Sequence, residues 1–144
     1  MTIVSCYNIT MSKINAAEKD CIFCKIIAKE IPAHTIYEDT NFFAFLDINP
    51  ISPGHTLVIP KKHFRWVWDL PTDGNDGANI REYFTVAKKI ALAEQKAFEQ
   101  EMIQSKIVGE DVPHAHIWVY PNPETKGDKK DFETNKKKLV EALK

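Results

Sequence analysis

The sequence predicts an α+β protein in which antiparallel strands form a sheet that packs against one long helix. Short apolar segments at residues 34–38, 42–47 and 56–59 are separated by turn-forming residues at 39–41 and 50–54, a pattern typical of strands. Residues 80–101 carry apolar side chains at helical spacing. Two further strand-like segments follow, at 103–108 and 112–120.

The helices are expected in three places. A short one should span residues 22–29, since Ile31-Pro32 would end it. Asn79 and Glu82 form a capping-box pattern at the start of the long helix. Its expected apolar face comprises Ile80, Phe84, Ala87, Ile90, Ala91 and Phe98. The third helix should begin at Asp131, with Phe132, Lys136, Leu139, Val140 and Leu143 on one side. Its run of three lysines at 136–138 is interpreted as a solvated face, the alternative being a surface for an acidic partner.

Length and composition agree with a single domain. The chain has 144 residues, 44% of them hydrophobic, and a net charge of −1, so it can bury one substantial core. That charge gives no indication of a surface for nucleic acid. No apolar run approaches the roughly 20 residues needed to cross a bilayer. We therefore expect neither nucleic acid nor a membrane among its partners.

The N-terminal residues and the cysteines bear on location. Residues 1–19 lack a basic start followed by a sustained apolar stretch, so a secretory signal is not expected there. Two of the three cysteines form the pair Cys21-Ile22-Phe23-Cys24, which is better explained by metal thiolates than by a disulfide. The sequence therefore predicts a reducing, cytoplasmic setting.

The segment from Val112 to Tyr120 sets His114 and His116 two residues apart in a run rich in β-forming residues. In a strand these side chains share one face and lie about 6.6 Å apart along the chain. One could hold a metal while the other meets a substrate. Trp118 would follow on the same face. The alternative interpretation is a pair of histidines on the solvated face of an amphipathic strand.

The spacing of Cys21 and Cys24 allows both thiolates to reach one ion. Zinc takes sulfur and imidazole ligands at tetrahedral structural sites, and five histidines are available in the chain. A redox pair or two buried thiols are the alternatives. His34 matches no functional pattern and is expected at the surface.

Three segments together resemble the histidine triad (HIT) superfamily of nucleotide hydrolases and transferases. They are CIFCKIIAKE at 21–30, FLDINPISPGHTLVIPKKH at 45–63 and VPHAHIWV at 112–119, and they keep the family's order along the chain. The resemblance covers roughly residues 20–121. It implies a HIT-like fold with a five-stranded antiparallel sheet and one long helix, and a two-fold dimer whose sheets join.

The resemblance also implies roles for particular residues. His116 corresponds to the middle histidine of the triad, which attacks the α-phosphorus of a nucleotide to form a nucleotidyl-histidine. Members with paired cysteines bind zinc through positions that here are Cys21, Cys24, His63 and His114. That set would be a closed Cys2His2 structural site.

Imidazole suits this chemistry because it is nucleophilic near pH 7 once a second group fixes its tautomer. His55 resembles the family's supporting histidine, which could orient His116 or hold the phosphate. Its alternative is a histidine at the start of a strand after a Pro-Gly turn. Asp47 matches the residue that accepts hydrogen bonds from both ribose hydroxyls. Its alternative is a turn-forming aspartate before Asn-Pro.

Apolar residues stand where the family packs a nucleobase. Without the resemblance they would be assigned to the core, because such residues at strand spacing usually lie there. A slot of this kind with one carboxylate would bind a nucleoside without strongly selecting among purines. The residues are Ile22, Phe23, Phe45 and Ile48.

Two features depart from the family pattern. Trp118 replaces the third triad histidine and offers only an indole N–H, so it cannot protonate a leaving group. Glu110 and Asp111 follow Gly109 where many members have Gln and then Ser or Thr to bind phosphate. Two carboxylates there would repel a phosphate unless they point away.

The sequence thus predicts an N-terminal extension at 1–19, a HIT domain at 20–121 and a C-terminal, helical extension at 122–144. We expect a nucleotide-binding hydrolase or transferase acting on a purine nucleoside phosphoramidate or dinucleoside polyphosphate, with structural zinc and as a homodimer. The alternatives are a nucleotide-binding or sensing protein without activity, and a zinc-stabilised interaction protein without a nucleotide site.

Overall fold

The structure is a computed structural model that describes residues 20–74 and 76–144, in which five strands form one antiparallel sheet. The strands are β1 (Thr35–Glu38), β2 (Phe42–Leu46), β3 (Thr56–Pro60), β4 (Ile103–Lys106) and β5 (Ile117–Pro121). Their order across the sheet is β1-β2-β3-β5-β4. The helices of the same residues are α1 (Ile22–Ile27), α2 (Ile80–Phe98) and α3 (Phe132–Ala142).

This architecture confirms the predicted α+β class, with one long helix, a short N-terminal helix and an added C-terminal helix. The expected extension at residues 1–19 lies outside the described part of the chain. No helix among the described residues is both long and apolar enough to cross a membrane.

The middle of the sheet is buried on both faces, which explains why β2 reads as an unbroken apolar run. Phe42, Ala44 and Leu46 face α2 and α3 in the main core, while Phe43 and Phe45 face the opposite side. That second side is covered by α1. The functional residues predicted from the sequence gather on it.

The long helix begins where expected, because the Asn79 side chain accepts a hydrogen bond from the Glu82 N–H at 2.9 Å. Its buried face differs from the predicted one. Tyr83 is fully buried and its hydroxyl donates to the Val58 carbonyl at 2.7 Å, whereas Phe84 is 41% exposed. The hydrogen bond to β3 lets a tyrosine lie in the core where apolar spacing favoured a phenylalanine.

The expectation that His114 and His116 lie in a strand is wrong, because β5 starts only at Ile117. The backbone before it bonds elsewhere: the His114 N–H donates to Val112, and the Ala115 N–H donates to Phe64 at 2.7 Å. The two histidines are nevertheless buried on the α1 side, on an irregular segment that enters the sheet at its next residue.

The third helix is capped by Asp131, whose side chain accepts from the Thr134 N–H at 3.2 Å. It packs against α2 and β1 and buries Leu139 completely. Its first turns reach the edge of the sheet beside β1, next to the face that carries the predicted site.

Candidate functional site

Four side chains form a cluster at the end of the sheet nearest α1. The ligand atoms of Cys21, Cys24, His63 and His114 all lie within 4.8 Å of one another. Cys24 Sγ lies 3.2 Å from His63 Nδ1 and 3.4 Å from His114 Nδ1, and Cys21 Sγ lies 3.4 Å from the same His114 atom. Sulfur and nitrogen ligands of one tetrahedral zinc ion are separated by about 3.5 Å. The cluster therefore fits a zinc ion in size and in donor chemistry.

Three parts of the chain bring these ligands together. Cys21 is the N-cap of α1 and its Sγ accepts from the Cys24 N–H, so one helical turn places both thiols on the cluster. His63 follows β3. His114 Nε2 donates to the Pro60 carbonyl at 2.8 Å, which leaves the Nδ1 lone pair directed at the sulfur atoms.

The electrostatics of the cluster favour thiolate. The pKa of the Cys21 thiol lies well below its ordinary range, chiefly because Cys24 hydrogen-bonds to the thiolate, with contributions from His114 and His63. Burial opposes this effect. Metal ions bind the deprotonated sulfur, so this is the form that the site requires.

His116 is buried beside the cluster, with its ring 5.2 Å from that of Phe23. Its Nδ1 lies 2.7 Å from the His114 carbonyl oxygen, which can only accept, so Nδ1 carries a proton. In the neutral ring the lone pair is then on Nε2. In the structure that nitrogen lies 3.0 Å from Asp111 Oδ1, so the Asp111 side chain points toward the histidine, and one of the two groups carries a proton between them. The Nε2 lone pair is therefore free only when the carboxylate moves away.

His55 and Asp47 lie side by side at the other end of β3. The Ile51 N–H donates to His55 Nδ1 at 3.0 Å, so Nε2 carries the proton of the neutral ring, 3.6 Å from Asp47 Oδ2. Burial lowers the pKa of His55 to about 4, so it is neutral at pH 7. Burial also raises the pKa of Asp47, an effect that the Asn49 N–H opposes and the charge on Asp111 reinforces.

A cavity of about 510 Å³ opens between α1, β2 and the start of α3. Five predicted binding residues line it together: Ile22, Phe23, Phe45, Asp47 and Ile48. Ile22 and Ile48 are 46% and 67% exposed, so they form its apolar mouth rather than core. The cavity thus combines an apolar slot with the carboxylates of Asp47, Asp111 and Glu133.

Trp118 does not line this cavity. It lies opposite Leu57 in the sheet, with its ring 5.2 Å from that of His55 and Lys106 Nζ 5.8 Å from the ring centre. The indole Nε1 is buried without a hydrogen-bond partner. Its N–H is therefore a donor that no protein group uses.

Sequence reasoning missed some residues of this region. The sequence shows that Asp111 departs from the family pattern, but the direction of its side chain depends on loop geometry. His34, expected at the surface, is 33% exposed, but it also lines the cavity, stacks on Phe132 with ring centres 5.0 Å apart, and lies 3.4 Å from Glu133. Glu133 and Lys136 also line the cavity. A polar pair at i and i+3 on the predicted helix was the only signal for the last two.

Comparison with known proteins places these observations in context. The profile of the HIT domain matches residues 28–125. An uncharacterized HIT-like protein of Methanocaldococcus jannaschii is 39% identical over 127 residues, covering 86% of this chain and 96% of its own. The adenosine 5′-monophosphoramidase of Saccharomyces cerevisiae is 33% identical over 129 residues, covering 86% of this chain and 78% of its own.

A solved structure supports the same relationship. The zinc-bound histidine triad family protein of Mycobacterium smegmatis superposes with a TM-score of 0.73 at 29% identity, over 88% of this chain and 94% of that one. Because that protein binds zinc, the four-residue cluster described above is the natural point of comparison. α3 lies beyond the segment matched by the domain profile.

Proposed function

Because this chain belongs to the HIT domain family, we propose that it acts on the α-phosphate of a nucleotide through a nucleotidyl-histidine intermediate. The favoured reaction is hydrolysis or transfer of a purine nucleoside phosphoramidate or a dinucleoside polyphosphate. One observation carries the proposal: the His114 carbonyl accepts a hydrogen bond from His116 Nδ1, which leaves Nε2 as the nitrogen directed toward the cavity-lining residue Asp111.

In this proposal His116 Nε2 forms a bond to the α-phosphorus while the bond to the leaving group breaks. The departing atom takes its proton from water, since the indole N–H of Trp118 is not acidic enough to protonate it. A water molecule then attacks the phosphorus, loses its proton to solvent, and releases the nucleoside monophosphate and the free histidine. Dividing the displacement into two steps is the advantage of covalent catalysis.

The nucleoside would lie in the cavity. We propose that Asp47 accepts hydrogen bonds from the ribose hydroxyls and that Phe23 and Phe45 contact the base, with Ile22 and Ile48 at the mouth. His55, neutral with its proton on Nε2, would help hold the phosphate. Trp118, with its unused indole N–H, would stand on the leaving-group side.

We further propose that Cys21, Cys24, His63 and His114 hold a structural zinc ion. When bound, the ion would fix α1 against the segment that bears His116, since His114 is only two residues away. The close spacing of the four ligand atoms supports this assignment.

The remaining expectations also stand as proposals. The chain is proposed to act in the cytoplasm, as a homodimer, with residues 20–121 as its HIT domain and 122–144 as an extension. No membrane or nucleic-acid partner is proposed.

A nucleotide-binding protein without turnover is the second candidate. Trp118 at the third triad position and the contact of Asp111 with His116 favour it, because both remove features that speed phosphoryl transfer. A zinc-stabilised interaction protein would bind no nucleotide.

The test is acid-quenched intact-mass spectrometry of the zinc-loaded chain incubated with an adenosine phosphoramidate. We expect one adenylyl adduct and release of AMP in the parent, and neither in His116→Ala. Calorimetric binding of AMP without any adduct or turnover would favour the binding protein. Absence of AMP binding would favour the interaction protein.

A further inference from the structure

The reactive face of His116 is covered by another side chain. The His116 side chain is 0% exposed, and the Asp111 side chain that contacts its Nε2 is 57% exposed. A phosphorus atom in position for attack would lie about 3–3.5 Å from Nε2. The Asp111 carboxylate oxygen, at 3.0 Å, occupies that place. A nucleotide phosphate must displace the carboxylate before it can react.

The loop that bears Asp111 is fixed on both sides. Arg65 donates to the Gly109 carbonyl at 2.7 Å while its guanidinium stacks on Trp66, 3.7 Å from the ring centre. Gly109 has φ +83, and a Cβ there would lie 2.9 Å from the Trp66 ring. On the other side Val112 packs into the apolar cluster under α1. A displaced Asp111 carboxylate therefore stays close to the phosphate.

In the structure the Asp111 carboxylate pairs with His116 Nε2, and a phosphate at that nitrogen would take this partner away. The charge of Asp47 faces the same region, and Asp111 contributes to the raised pKa of that residue. Lys130 donates to the Ile48 carbonyl at 3.0 Å, and Lys136 lines the cavity. A phosphate at Nε2 would thus lie beside a carboxylate that has lost its partner.

We infer that Asp111 selects nucleotides by the charge of their phosphate, disfavouring a dianionic monophosphate relative to a monoanionic ester or amide. This inference rests on the proposed function and deepens it. A phosphate monoester has a second pKa of about 6 and carries two charges above it, whereas a phosphoramidate or diester carries one. Repulsion by a fixed carboxylate grows in proportion to that charge. Substrate is retained and the AMP product is expelled.

The test compares three ligands of equal nucleoside and different charge at pH 8. They are AMP with two negative charges, the methyl ester of its 5′-phosphate with one, and adenosine with none. Each is titrated calorimetrically into the zinc-loaded full chain. The methyl ester has a poor leaving group and serves as an uncleaved monoanion. The variants are Asp111→Asn, which keeps the shape, and Asp111→Ser, which also shortens the side chain. Glu110→Gln is the matched control, because it removes one charge from an exposed neighbour in the same loop.

We expect Asp111→Asn to lower the Kd of AMP about tenfold, that of the methyl ester about threefold and that of adenosine by less than about twofold. Asp111→Ser should give the same order, and Glu110→Gln should change each by less than about twofold. Equal effects on AMP and the ester, or equal effects of the Glu110 and Asp111 variants, would overturn the inference while adenosine binding kept the proposed function intact. If none of the three ligands binds the parent, the proposed function fails and the inference with it.

Discussion

At the scale of single residues, the backbone decides which histidine nitrogens can act. The Pro60 carbonyl accepts a hydrogen bond from His114 Nε2, and the His114 carbonyl accepts one from His116 Nδ1. The Ile51 N–H donates a hydrogen bond to His55 Nδ1. Each ring is therefore left with one defined nitrogen, for which we propose the roles of metal ligand, nucleophile and proton donor respectively.

The first prediction concerns His116. His116→Ala should abolish turnover of an adenosine phosphoramidate and leave AMP affinity within about fivefold, because the proposed base and ribose contacts lie elsewhere. Single-turnover kinetics and calorimetry measure the two quantities. Turnover equal to that of the parent would exclude His116 as the nucleophile.

The second prediction concerns Trp118. A leaving group that needs a proton should be cleaved slowly beside an indole, whereas one that departs easily as an anion should suffer less. Trp118→His should therefore gain most, by about tenfold or more, on poor leaving groups. Single-turnover rates across a leaving-group series decide the matter. A uniform change across the series would show that Trp118 is not at a proton-donating position.

The sequence predicted much of the cavity and little of its surroundings. Phe45 and Asp47 could be assigned because they follow one another at the end of an apolar strand within a recognisable motif. The direction of Asp111 could not, since it depends on how Arg65 and Trp66 hold a distant loop. Glu133 lines the cavity but belongs to a helix far along the chain, and local sequence patterns do not predict such long-range contacts.

At the scale of elements, α1 depends on the cluster at its start. Its six residues are too few for a stable helix in isolation, so its position depends on the buried Phe23 and Ile26 and on the cysteines that begin it. A zinc ion would join this helix to β3 and to the segment before β5.

The third prediction follows from that connection. The protein should contain one zinc per chain, and Cys24→Ser should lower the Tm by about 5 °C or more through loss of a tetrahedral ligand. Elemental analysis and calorimetry provide the measurements. Protein purified without chelator that holds no zinc would contradict the assignment.

The fourth prediction concerns the turn before β3. Gly54 has φ +84, and a Cβ there would collide with the ring of Phe98 at the end of α2. Gly54→Ala should cost about 2–4 kcal/mol of unfolding free energy. Gly74→Ala is the control, because φ is +143 there and nothing lies within 4 Å of its Cβ, so it tests backbone strain alone. Equal losses in urea unfolding would show that the contact with Phe98 is unimportant.

Element boundaries show where sequence patterns lose information. The strand spans β1 to β3 were predicted to within a residue or so, because turn residues bracket each one. The start of β5 was not, since Pro113 and the diverted N–H groups of His114 and Ala115 delay it. Apolar spacing also could not show that Tyr83 would find a carbonyl partner.

At the scale of the whole molecule, one buried acid bears on stability. Glu94 is fully buried in α2, and burial raises its pKa well above the ordinary value of 4.5. The nearby Thr56 hydroxyl offsets this only in part, because it donates to the Gly54 carbonyl. The folded state therefore binds the Glu94 proton more tightly than the unfolded chain does.

The fifth prediction gives the sign of this effect. The contribution of Glu94 is fully present below pH 4.5 and is lost as the pH rises toward its raised pKa. Glu94→Gln should thus be more stable relative to the parent at pH 8 than at pH 5, by about 1 kcal/mol or more. Thermal unfolding of both proteins at the two pH values measures the difference. A difference independent of pH would mean that Glu94 ionises without penalty.

His55 acts in the opposite direction. With a pKa lowered from 6.5 to about 4, it contributes stability above pH 6.5 that is lost as the pH falls through 4. The ionisation of Glu94 therefore lowers stability at high pH, and the protonation of His55 lowers it at low pH, so together they narrow the pH range of greatest stability.

The position of α3 separates the residues proposed to react from residues on the cavity wall that can influence which ligand binds. The histidine proposed to react and the proposed ribose carboxylate belong to the segment matched by the domain profile, whereas Glu133 and Lys136 on the cavity wall come after it. Substitutions in the first turns of α3 can therefore change which molecules are admitted without touching the atoms proposed to react. A protein built this way can acquire a new preference by altering its tail alone.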